Sequence, residues 1–222
     1  YQPVKPFLNQ IDGIKTKADV MKMIAYLRSN AIASPLINVG VRQDARLAYK
    51  YIVGISQGGI SLPDRDYYLK DDARSKNVRL ALKKYIVGLF TLTGTKLAEA
   101  EKNADEILKM ETSIASAQLS RVAMRDPVKM YNKMAVGELV SKSPHLGWPS
   151  FFEEMGYTSA VDSVVVSQPA FVSFTDSLLE NVALMDWKTY LQWNVLRDNS
   201  GSLSSKFVNA NFEFNKVLTG QK

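Results

Sequence analysis

Two hydrophobic periods divide this chain, and one short stretch separates them. Between Leu36 and Val41 apolar residues fall on alternate positions, Ile37, Val39 and Val41. The same period returns at Tyr49, Tyr51, Val53 and Ile55. A period of two sets those side chains on one face of a strand. Gln43, Asp44, Ala45 and Arg46 lie between the two runs, so the pattern predicts a hairpin. Two strands alone are marginal in water, so this ribbon must lie on helices.

Almost everything else repeats with a helical period. Thr16, Lys17, Ala18 and Asp19 form a capping-box pattern with Asp in the Glu place, and Val20, Ile24 and Leu27 follow on one face. Val78, Leu82, Tyr85 and Leu89 mark a long helix capped by Asp71 or Asp72 and stopped at Gly94. A helix over 95–119 carries Leu97, Ala100, Ala104, Ile107, Glu111 and Ile114. Arg125, Asp126 and Pro127 give a sharp helix start, with Val128, Tyr131 and Met134 on one face. Trp148 and Pro149 open a short helix, 161–166 reads as a short strand, and Pro169 opens another helix. Trp187, Leu191 and Val195 line the next. The last stripe is Leu203, Phe207, Ala210, Phe214 and Val217, stopped by Gly220. The segment from Tyr1 to Lys15, with Pro3 and Pro6, reads as an extended lead-in. The expected fold is mainly α: one multi-helix domain over 1–222, with a small antiparallel β ribbon near the N-terminal third.

The separating stretch runs from Gly58 to Tyr68. Gly58 and Gly59 can release a strand. Pro63 favours a helix start just after Ser61 or Leu62. Asp64, Arg65 and Asp66 place two carboxylates and a guanidinium within one turn, beside Tyr67 and Tyr68. A strand-to-helix corner packed by its tyrosines is the simpler reading, and a bare substrate or metal site the minor one. Glu111 stands out because the stripe between Ile107 and Ile114 asks for an apolar residue. A buried carboxylate needs partners, and Arg65, ahead of Arg125, is the expected one.

Composition removes whole function classes. The 28 basic and 22 acidic residues leave +6, but the charges are interspersed. No basic stripe with interleaved aromatics marks a nucleic-acid surface. There is no cysteine, so disulfides and thiolate metal sites are excluded. The single histidine, His145, sits between turn residues and reads as a surface loop residue. A zinc site of ordinary type needs three or four ligands, so none is expected within this chain. A Ser-His-Asp arrangement lacks its glycine-flanked nucleophile. The Gly94–Lys96 spacing lacks the earlier glycine of a phosphate loop. Asp64 with Asp66, and Asp71 with Asp72, are explained as helix caps more simply than as cation sites. No apolar run approaches the roughly 20 residues of a membrane helix. The start at Tyr1 suggests a processed product or an excised fragment.

Several motifs in order are nevertheless specific. Gly59, Ile60, Ser61, Leu62, Pro63, Asp64, Arg65, Asp66, Tyr67 and Tyr68 resemble the Gly-Leu-x-Leu-Pro-x-Arg-Asp-Tyr-Tyr segment of the neprilysin and endothelin-converting-enzyme family of zinc metallopeptidases. Glu111 with Ile114 and Ala115 resembles its Glu-x-x-Ile-Ala. Arg125, Asp126 and Pro127, then Tyr131, Asn132, Lys133 and Met134, resemble its Arg-Asp-Pro and Tyr-Asn-Lys-Met. Trp148, the valines 164–166, and the ending from Phe214 to Gly220 continue the match.

The family's His-Glu-x-x-His helix, third glutamate ligand and Asn-Ala motif have no counterpart here. The resemblance therefore assigns no catalytic or zinc residue to this chain. It implies a non-catalytic helical domain of a larger zinc endopeptidase, inactive when isolated, that walls a chamber and limits substrates to short peptides. The implied partners are the catalytic domain of the same parent chain and the peptides, with zinc held in the parent. The lack of cysteine departs from the disulfide-rich vertebrate members and implies an exported bacterial parent. The alternative is a stand-alone helical module that binds peptides or a protein. If the domain is carried by a catalytic one, Tyr1 and Lys222 should lie on one side, and an apolar patch should be exposed.

Overall fold

The computed structural model describes residues 1–157 and 161–220, so the expectation that involves Lys222 lies outside the described residues. Two compact units divide the chain. One gathers Tyr1–Lys15, Ser61–Ser116 and Ala183–Lys222, and the other gathers Thr16–Ile60 and Ala117–Val182.

The first unit is helical. It holds α1 (Lys5–Asp12), α3 (Asp66–Leu69), α4 (Ala73–Leu92), α5 (Leu97–Ala117), α9 (Leu184–Asn199) and α10 (Ser205–Thr219). The lead-in is not extended: a 3-10 turn over Gln2–Val4 runs into α1. Pro3 and Pro6 sit in the first turns of these two elements, where a missing N–H costs nothing. Asp72 caps α4 by accepting from the Ser75 N–H at 2.9 Å. The α4 stripe buries Val78, Leu82, Tyr85, Ile86 and Leu89. α10 meets it with Phe207 and Phe214, and Tyr85 stacks on Phe214 at 4.8 Å between centroids. Leu97, expected in the core, is exposed at the very start of α5.

The second unit holds α2 (Lys17–Ser29), the hairpin β1 (Ile37–Asp44) and β2 (Leu47–Gln57), then β3 (Asn132–Ala135), α6 (Val136–Lys142), α7 (Trp148–Glu154), β4 (Ser163–Val166) and α8 (Pro169–Asn181). The capping box forms as the sequence suggests, with Thr16 and Asp19 exchanging side-chain bonds to each other's backbone N–H. The predicted ribbon is present and belongs to a four-stranded sheet of order β1-β2-β4-β3. β2 pairs β4 in parallel, and the other neighbours are antiparallel. Val164, Val165 and Val166 are buried, as a strand covered on both faces requires. α7 supplies Trp148, Phe151 and Phe152 to this core.

The helix expected after Pro127 does not form. Asp126 accepts from the N–H groups of Val128 and Lys129, closing a turn, and the chain then joins β4 as β3. Strand pairing captures Asn132–Ala135 before the turn can propagate, and the helix begins only at Val136.

Candidate functional site

The stretch from Gly59 to Tyr68 and Glu111 converge on one buried polar centre. Gly59 leaves the sheet with φ of 88°, a backbone setting that favours glycine. The chain then bends through Ser61–Asp64, and the helix starts at Asp66, later than Pro63 suggested. Asp64 explains the delay: its Oδ1 accepts from the Asp66 N–H at 2.9 Å and holds a turn ahead of α3. Leu62 and Tyr68 are buried, while Tyr67 lends its carbonyl oxygen to Arg79 Nη1 at 2.6 Å.

Glu111 is fully buried on α5, as the stripe predicted. Ser61 donates to it twice, from its N–H at 3.1 Å and its hydroxyl at 2.6 Å. The Tyr68 hydroxyl donates to Oε2, and the Trp193 indole N–H donates to Oε1 at 3.1 Å. The Tyr68 oxygen accepts in turn from the N–H groups of Ser61 and Leu62. The guanidinium of this centre is not that of Arg65 but of Arg197 on α9. Its Nη1 donates to Ser61 Oγ at 2.9 Å, and its Nε donates to Asp198 at 2.7 Å. Arg65 takes the position before the first residue of α3, and Arg125 belongs to the other unit.

The electrostatics follow from this wiring. Burial, together with the Glu111 carboxylate, pushes the Tyr68 hydroxyl well above the ordinary tyrosine range, so it stays a donor. Burial works against the Arg197 charge, but Asp198 and then Glu111 more than offset it and hold the group protonated. The centre ties the 61–68 corner to α5 and α9. Its carboxylate faces no solvent, so it offers no open position to a reacting atom. Trp193 and Arg197 are four residues apart on one helix face, which is the sequence signal that could have named Arg197.

Arg125 ends a 3-10 turn over Ala123–Arg125, Asp126 supports the turn described above, and Pro127 opens it. These three residues stand apart from the Glu111 centre in the chain's division into units. In the same unit Asp44 is buried and accepts from Arg46 N–H at 2.9 Å, Tyr131 hydroxyl at 2.8 Å and Lys133 Nζ at 3.1 Å. These bonds, the Arg46 N–H first, hold its carboxyl down at about 2. His145 is half-exposed, and its Nδ1 lies 2.8 Å from Asp176. Asp176 also accepts from the N–H groups of His145 and Leu146.

Two concavities accompany these centres. One of about 390 Å³ borders Val41, Asp44, Tyr51 and Lys133. The other, about 580 Å³, lies against Leu80 and Leu108 with Lys76, Lys83 and Lys109 on its rim. Among the described residues no group of three or more His, Asp and Glu side chains could hold a metal ion.

Comparison with known proteins gives one consistent answer. The model of peptidase family M13 matches residues 1–222. Endothelin-converting enzyme 1 of Mus musculus is 26% identical over 216 residues, covering 96% of this chain and 28% of that protein. Endothelin-converting enzyme-like 1 of Rattus norvegicus is 30% identical over 192 residues, covering 85% of this chain and 24% of that protein. The chain therefore spans under a third of these curated relatives. Among solved structures, the zinc metalloprotease Zmp1 of Mycobacterium tuberculosis in its open state superposes with a TM-score of 0.92 at 30% identity, covering 100% of this chain and 34% of that one. PepO from Lactobacillus rhamnosis shares the fold, with a TM-score of 0.81 at 17% identity.

Proposed function

This chain belongs to peptidase family M13, in its N-terminal region, and from that membership we propose that it is the non-catalytic domain of a zinc metalloendopeptidase acting on short peptides. It would wall the active-site chamber and restrict substrate size. The observation that carries this reading is the full-length superposition on about a third of Zmp1, a zinc metalloprotease. Exclusion by a wall is steric and needs rigid elements rather than reactive groups. The Glu111 centre supplies rigidity of that kind.

Zinc does not fit the residues of this chain. It has one histidine and no cysteine, its described acidic side chains do not gather, and its buried carboxylates already accept from protein donors. In this reading the metal belongs to the catalytic domain of the parent, which is this domain's partner, and the parent is exported. A stand-alone peptide- or protein-interaction module is the second reading, favoured by the open sheet edge described below.

The intact reading frame and a peptide series of rising length test the proposal. A downstream His-Glu-x-x-His and turnover that falls away as the peptides lengthen are the expected results. Zinc-dependent turnover by the 222-residue chain alone would overturn the reading, as would a parent that cleaves long and short substrates equally fast.

A further inference from the structure

β1 lies at the edge of the sheet, and half of its outer rim is bonded to no other described residue. The Ile55 carbonyl oxygen accepts from Ser167 N–H at 2.8 Å, so Ile55 directs its backbone toward β4. The pair Val39 with Ile55 is therefore a non-hydrogen-bonded pair of the hairpin, and Val39 directs its backbone groups outward. Arg28 confirms the direction, since its Nε donates to the Val39 carbonyl oxygen at 2.7 Å and its Nη1 to that of Ile37 at 3.2 Å. Two residues further along, Val41 with Val53 and Gln43 with Tyr51 repeat the same geometry. Among the described residues no side chain bonds to the outward backbone groups of Val41 and Gln43 as Arg28 bonds to those of Ile37 and Val39. Natural sheets usually blunt such a rim.

The two faces beside the open rim differ in chemistry. Val41, Tyr49 and Tyr51 share one face, and their relative exposures are 57%, 78% and 78%. Arg42, paired with Ile52, lies on the other, where its Nη2 donates across β2 to Ser167 Oγ at 3.4 Å, and Lys50 follows on that face by alternation from Ile52. Gly54 permits this: a Cβ there would sit 2.5 Å from Arg42 Nε, so glycine leaves room for the guanidinium against the sheet. The hairpin's charges are unbalanced. Asp44 is already matched by Lys133, whereas Arg46 lies over the Tyr131 ring and Lys50 over Tyr49.

We propose that the rim of β1 at Val41–Gln43 takes up an extended peptide as an added strand, one that alternates apolar side chains over Val41 and Tyr51 with acidic side chains over Arg42 and Lys50. Backbone bonds would supply affinity and the two faces selectivity. A second copy of this chain is a poor occupant, because pairing β1 with β1 sets two Arg42 faces side by side. The inference stands on the sheet edge and is independent of whether the parent cleaves peptides.

The test uses the 222-residue chain, isotope-labelled, with a short blocked peptide that alternates valine and glutamate. The expected result is saturable binding with shifts confined to residues 39–43 and 49–53, and slowed hydrogen exchange at the Val41 and Gln43 amides. A lysine counterpart and a glutamate peptide with N-methylated alternate amides should not bind. Arg42→Glu with Lys50→Glu, both exposed, should weaken binding about tenfold while leaving the spectrum beyond the hairpin and Ser167, which Arg42 bonds, unchanged. The proposal fails if no saturable binding occurs, if the lysine peptide binds equally, or if the shifts fall elsewhere. It also fails if the rim amides are already protected in a dimer without peptide, which would make a second copy the occupant.

Discussion

At Glu111 a carboxyl group lies out of reach of water and is held by neutral donors. Among the described residues the Tyr68 and Ser61 hydroxyls donate to Glu111 alone, whereas the Trp193 indole also donates to Ser61 Oγ at 2.8 Å and Ser61 N–H also donates to the Tyr68 oxygen. Glu111→Ala would orphan the Tyr68 and Ser61 hydroxyls, while Trp193 would keep its bond to Ser61 Oγ. Each orphan costs about 1–3 kcal/mol, so an overall loss of about 3 kcal/mol or more is expected in urea unfolding. Glu111→Gln keeps one acceptor oxygen and should cost about half as much. A Glu111→Ala variant that unfolds at the parent's urea midpoint would remove the centre from this account. His145 gives a second test through pH. Its pKa is raised, chiefly by the bond to Asp176 and against some desolvation, with Asp176 and Glu180 adding attraction. A raised folded pKa contributes stability that is complete below the unfolded value of about 6.5 and lost as pH rises through the folded value. The stability gap between the parent and His145→Gln should therefore be widest near pH 5 and narrow toward about pH 9. A gap that widens with rising pH would contradict the assignment.

Elements show where local signals decide and where they yield. Thr16, Asp72 and Gly220 cap the helices the sequence assigned to them, because a cap acts within one turn and is read locally. The hairpin was legible for the same reason. β3 was not. Asp126 and Pro127 do begin a turn, yet the fate of Asn132–Ala135 is set by β4, which lies some thirty residues further on in sequence. A peptide covering residues 124–142 lacks β4, so its backbone shifts at 132–135 should be coil or helical. Strand shifts in the isolated peptide would show that the preference is local after all. The Glu111 centre was half legible: the stripe placed the carboxylate inside, but Arg197 is brought to it only by the packing of α9. Arg65 was the nearer candidate in sequence and in motif, and neither proximity governs where a helix docks.

On the scale of the whole molecule, chain order and packing order disagree. The first unit is assembled from three separated segments, and its polar centre draws on the second and third: Ser61, Tyr68 and Glu111 come from one, Trp193 and Arg197 from the other. α9 and α10 also bring Trp193 and Phe214 to Tyr85. A chain ending at Val182 would thus leave Glu111 without its Trp193 donor, Ser61 without Arg197 and α4 without its aromatic cover, so α4 and α5 should lose fixed packing. The second unit would keep both of its segments, including the hairpin, α2, α7 and α8. Its cost is a disordered loop over residues 61–116, on the order of 4 kcal/mol by chain-closure entropy. The buried valines of β4 and the Trp148 cluster give a core large enough to oppose it. Hydrogen exchange on the truncated chain should show fast exchange through α4 and α5, with protection retained in β2 and β4. Equal protection of α4 and α5 in the truncated and full chains would show that α9 and α10 are not what holds the first unit together.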